Sequence, residues 1–195
     1  MKARRAPPRN NYPPAGFITM PSSPPKLPET WLRGPLSGVP PLLQPVAHAL
    51  LQAESDVAAA LAAFPAAKLW ERPAGVASVG FHLQHLAGVL DRMLTYAQAR
   101  PLSPAQLAYL TAEGRPADAA VAPETQVITL QKAFGDKVQQ ALAQLHLTPE
   151  ATLTDFRPVG RAGLPSTVIG LLVHAAEHTQ RHVGQLLVTA RVLAG

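Results

Sequence analysis

The sequence predicts an all-α protein: a four-helix bundle over residues 40–195, preceded by a disordered, proline-rich tail over residues 1–33. Three observations support this. Four long stretches place apolar residues at intervals of three and four, the signature of a helix with one buried face. Prolines and glycines gather between those stretches, and only one short segment alternates as a strand would. Hydrophobic residues make up 47% of the 195, enough for the core of a single domain.

The first helix is expected over Leu42–Phe64, with Leu43, Val46, Ala47, Leu50, Leu51, Val57 and Leu61 on its apolar face. Pro45 falls in its first turn, where a missing N–H costs nothing, and Pro65 stops it. A connector with Trp70, Pro73 and Gly75 follows, and Ser78 is placed to cap a second helix running to about Ala99. Pro101–Pro104 should turn the chain and Pro104–Glu113 form a short helical piece. Pro123-Glu124 opens a third long helix to about His146, with Val127, Leu130, Phe134, Val138, Leu142 and Leu145 in register. Leu147–Pro165 reads as a structured loop or small hairpin, after which Ser166 or Thr167 caps a fourth long helix ending near Leu193. No internal repeat is evident.

Charge and composition narrow the function classes. The net charge of +5 lies in residues 1–33, which hold six basic residues and one acidic; the remaining eleven of each sign cancel. The body therefore carries no basic stripe for phosphates, and no nucleic-acid partner is expected for it. Zero cysteines remove disulfides, thiolate nucleophiles and Cys-ligated zinc, and fit a cytoplasmic protein. Residues 1–30 lack the apolar stretch of a signal peptide, and no run approaches the ~18 apolar residues of a membrane span, so no membrane role is expected. Met20 offers an alternative start within the tail.

Five of the seven histidines lie in two segments, Phe81–Gly88 and His174–Gln185. In the second, His174, His178 and His182 follow one another at four-residue steps, each turning about 40° around the helix. Neighbours share a face, so two imidazoles one turn apart can grip one ion, while His174 and His182 diverge by about 80°. A third imidazole from the second helix, His82 or His85, would complete a facial set with open positions, the pattern of a catalytic metal centre. Phe81 and Val89 flank His85, and Leu171 precedes His178 by seven, so both faces should look inward. Buried imidazoles with nothing to bind are costly there.

These segments resemble the DinB/YfiT-like family of metal-binding four-helix bundles. The resemblance rests on His85-Leu86-Ala87 in the second helix and on His178-Thr-Gln-Arg-His182-Val-Gly184-Gln185 in the last, with Val159–Thr167 similar to the loop before that helix. It covers roughly residues 40–195. It implies His85, His178 and His182 as ligands of a divalent metal, Zn2+ or Ni2+. It also implies a metal-dependent transferase that adds a low-molecular-weight thiol to an electrophile in detoxification or stress response. The partners would then be a small-molecule thiol and its electrophile, and relatives' habits leave a homodimer open.

Around this set, His82 and His174 are expected behind the ligands or in the pocket, with a partly exposed helix position the alternative for His82. Gln185 is expected to orient His182, and Gly184 to admit a neighbouring helix. Glu177 and Arg181 have the spacing of a surface ion pair, Asp91 and Arg92 that of a solvated face, and Trp31, Trp70 and Tyr96 that of core or rim aromatics. Two other functions compete. Metal-assisted hydrolysis needs a general base, and Glu177 points about 100° away from His178. A non-catalytic metal-binding bundle needs none.

Overall fold

The computed structural model describes residues 27–195, so residues 1–26 of the tail expected over residues 1–33 lie outside the described residues, whereas Thr30–Arg33 of that stretch are ordered as a 3-10 turn held by Gln52. Five α-helices are described: α1 Gln44–Leu61, α2 Val79–Ala97, α3 Pro104–Ala112, α4 Pro123–Leu147 and α5 Val168–Ala194. A two-stranded antiparallel hairpin, β1 Phe156–Val159 and β2 Leu164–Thr167, pairs Phe156 with Thr167 and Val159 with Leu164. The four long helices form the bundle, in which α5 packs on α1 and α2, and α4 closes the ring against the same two.

Local chemistry sets the helix starts. Ser78 Oγ accepts the Phe81 N–H to begin α2, and Thr167 Oγ1 accepts the Gly170 N–H to begin α5. Each such cap contributes about 1 kcal/mol. Ser103 and Gln106 exchange side-chain and backbone hydrogen bonds in a capping box at α3. The short helix expected over Pro104–Glu113 is thus present, as α3.

Burial then orders the core. Phe134, Leu43, Leu50, Leu83, Leu86, Leu90, Leu145 and Leu172 are fully enclosed. α2 is buried on nearly every side because α5, α4 and α3 surround it. That position draws polar residues inside with the apolar ones: His82, Gln84, Arg92 and Thr95 of α2 are all buried. The solvated face expected for Asp91 and Arg92 is corrected here. α3 covers that side of α2, burying Arg92 and leaving Asp91 half-buried between Lys137 and Gln106.

α3 itself buries none of its residues. It docks through polar groups: Tyr109 Oη donates to the Gln84 carbonyl, Gln84 Nε2 to the Arg115 carbonyl, and the Gly114 N–H to Gln84 Oε1. Before the bundle, Thr30–Arg33 form a 3-10 turn on α1, where Thr30 N and Oγ1 both donate to Gln52 Oε1. Trp31 in that turn is exposed, whereas Trp70 and Tyr96 are partly buried against the core. Among the described residues no helix is long and apolar enough to cross a membrane.

Candidate metal centre

α2 and α5 run side by side, and their facing turns carry the histidines. One nitrogen each of His85, His178 and His182 falls within 4.8 Å of the other two, at half-buried positions. His85 Nε2 lies 2.9 Å from His178 Nε2. Two nitrogens bound to one ion at about 2.1 Å would stand about 3.0 Å apart at a right angle and about 3.4 Å apart in a tetrahedron. The His85–His178 pair therefore already has the spacing of two ligands on one divalent ion, His182 lies close enough to join them, and three donors from two helices would leave other coordination positions open.

Protonation favours the same use. Burial, and then the charge of His85, pushes His82 down to about 4. Burial followed by His85, His178, His82 and Arg181 pushes His182 down to about 4 as well. His178 is also lowered, by burial first and then by His85. At neutral pH these rings are neutral and keep a lone pair for an ion.

Outer partners differ from ring to ring. His85 Nδ1 is 2.7 Å from Glu113 Oε2, so it donates its proton to the carboxylate and its Nε2 keeps the lone pair. His182 Nδ1 lies 3.2 Å from His82 Nδ1. His178 Nδ1 is buried with no hydrogen-bond partner among the described residues, so that ring is held by packing and by its Nε2 contact with His85. Phe81 stacks on His85 at 5.3 Å between ring centres and forms an apolar wall.

Glu113 is the participant that sequence reasoning missed. It caps the C-terminus of α3, and Arg92 Nη1 meets its other oxygen, Oε1, at 2.7 Å. Burial opposes its ionisation, but the hydrogen bonds and charges of His85 and Arg92 outweigh that and hold its carboxyl below the usual range. No motif ties position 113 to His85; its place as an acidic residue closing a short helix beside Gly114 was the only signal.

Other expectations meet mixed outcomes. His82 is 2% exposed and contacts His182, so it is a pocket residue and the partly exposed alternative is set aside. His174 stands at the rim, half exposed, edge-on to His178 and 3.4 Å from Glu177. Glu177 and Arg181 form the expected exposed ion pair. Gln185 does not orient His182: it points to solvent on α5, and His82 takes that contact instead. Gly184 admits no helix, since a Cβ there would meet open space.

The glycine that matters is Gly88, where a Cβ would stand 2.5 Å from Glu113 Oε1 and 2.8 Å from Arg92 Nη1. A surface cleft of about 860 Å3, lined by Trp31, His48, Gln52 and Gln180 among others, includes none of the triad histidines.

No curated protein matches the chain significantly. The sequence profile described as the DinB superfamily matches residues 49–186, a span that contains all of α2, α3 and α4, most of α1 and α5, and every histidine of the group. The chain belongs to the DinB superfamily.

Proposed function

We propose that the protein is a divalent-metal-dependent transferase that joins a low-molecular-weight thiol to an electrophilic carbon, with His85, His178 and His182 as the metal ligands. The observation that carries the proposal is the convergence of those three imidazoles, with nitrogens inside 4.8 Å of one another. When bound, a zinc or nickel ion would supply Lewis-acid activation, lowering the pKa of a thiol or water held beside it.

The chain's own residues would do the rest. His85, His178 and His182 bind, Glu113 holds His85 in one orientation, and Phe81 screens one side of the site from water. In the reaction the thiol proton passes to solvent, a C–S bond forms, and the bond to the leaving group, or an epoxide C–O bond, breaks. The cosubstrate provides the sulfur, in keeping with a chain that has no cysteine.

Hydrolysis is the weaker reading because the nearby carboxylates are committed. Glu113 is shared between His85 and Arg92, and Glu177 is paired with Arg181. Neither is free to act as general base toward a water at the centre.

The test combines metal content with thiol turnover. Purified protein should carry or take up about one ion per chain, and the loaded protein should consume a thiol in the presence of an epoxide or a chlorinated aromatic. Metal uptake with no turnover across glutathione, bacillithiol and mycothiol would leave a non-catalytic metal-binding bundle in its place.

A further inference from the structure

We infer that Glu113, pinned by Arg92 over the bare backbone of Gly88, is the positioning residue that sets His85 for metal binding; this rests on the metal-centre reading above. The two oxygens of Glu113 are divided: Oε1 takes Arg92 Nη1 and Oε2 takes His85 Nδ1, each at 2.7 Å. A carboxylate gripped at both ends cannot rotate, so the proton of His85 stays on Nδ1 and the lone pair of Nε2 stays aimed at His178. Among the described residues, His85 is the one histidine of the three with an anionic hydrogen-bond partner, the kind of outer contact that fixes a ligating ring.

The fold makes room for this arrangement at one place. Glu113 Oε1, Arg92 Nη1 and Tyr109 Cε1 all lie within 3.0 Å of where a Cβ on residue 88 would be, so the carboxylate can reach His85 only across a glycine. α3, which delivers Glu113, buries no side chain of its own. Its attachment beside the site is polar, through Tyr109, Gln84 and Glu113 itself. The junction after α3 therefore presents a charge to the centre instead of adding apolar surface to the core.

The experiment compares wild type, Glu113→Gln and Tyr109→Phe. Zinc affinity would be measured by competition with a chelator, and the His85 tautomer by 15N imidazole NMR on the metal-free chain. An amide at 113 keeps the shape but has one acceptor oxygen for two donors, so Arg92 or His85 must face an NH2. Glu113→Gln should bind zinc about 10–100-fold more weakly, and His85 should lose its single Nδ1–H form. Tyr109→Phe removes another tie between α3 and α2 without touching the carboxylate, and should bind zinc as wild type does.

Equal affinity in Glu113→Gln and wild type, or an equal loss in Tyr109→Phe, would overturn the assignment. So would an Nε2–H tautomer at His85 in wild type. If wild type takes up no zinc at all, the metal-centre reading fails and this assignment with it. That failure is separate from loss in the variant alone.

Discussion

His82 Nδ1 and His182 Nδ1 face each other 3.2 Å apart across the α2–α5 seam, although one hundred positions separate them in sequence. Both rings are pushed down to about 4, chiefly by burial. In the unfolded chain the same groups titrate near 6.5. Between those limits the unfolded state binds more protons than the folded one. Stability of the metal-free protein should thus be highest above about pH 6.5 and decline as pH falls toward 4, by up to about 1.4 kcal/mol per pH unit for each ring. Denaturant melts from pH 7.5 to 4.5 would check this, and His82→Phe should flatten the slope. A stability unchanged across that window would contradict the burial of these rings.

The Arg92–Glu113 pair makes a second prediction. Both side chains are over 90% shielded, and removing one partner strands the other's charge in a poor solvent. Arg92→Met should destabilise the fold by about 3 kcal/mol, near the lower end for a broken buried pair because His85 still serves Glu113. A urea midpoint indistinguishable from wild type would show that water reaches the carboxylate.

Gly80 provides a purely steric test. The Trp70 ring covers it so closely that a Cβ would sit 2.6 Å from two ring carbons. The indole is also tethered through Nε1 to Gln126 Oε1 at 2.8 Å, so it cannot simply swing away. Gly80→Ala should cost about 1–3 kcal/mol, read as a lowered thermal midpoint. Trp70→Ala together with Gly80→Ala should show less than the sum of the two single losses.

The histidines should divide into two groups in a metal-uptake assay. Alanine at 85, 178 or 182 removes one of three donors and should abolish stoichiometric zinc binding under chelator competition. Alanine at 174, at the exposed rim, should leave it within a few-fold of wild type. Gln185→Ala should also be silent, since that side chain points to solvent. A loss at 174 equal to that at 178 would mean the ligand set is drawn one turn too far along α5.

Much of the fold was legible because it rests on short-range rules. Apolar spacing, prolines in first turns and the Ser78 and Thr167 caps act within a few residues, and α1, α2, α4 and α5 appear where those signals place them. The four-residue step from His178 to His182 likewise needs only helix geometry to set two imidazoles on one face.

Local signals thus carry the helices, the histidine-bearing face and the resemblance that rests on His85, His178 and His182. The tertiary structure alone decided that Arg92 is buried, that Glu113 arrives from a helix 21 positions later to meet it, and that His82 rather than Gln185 stands beside His182. α2 is enclosed on three sides, so residues that look solvated on a lone helix become interior once α3 docks. Helical periodicity describes one rod at a time, whereas the partners of a buried charge come from whichever rod packs against it.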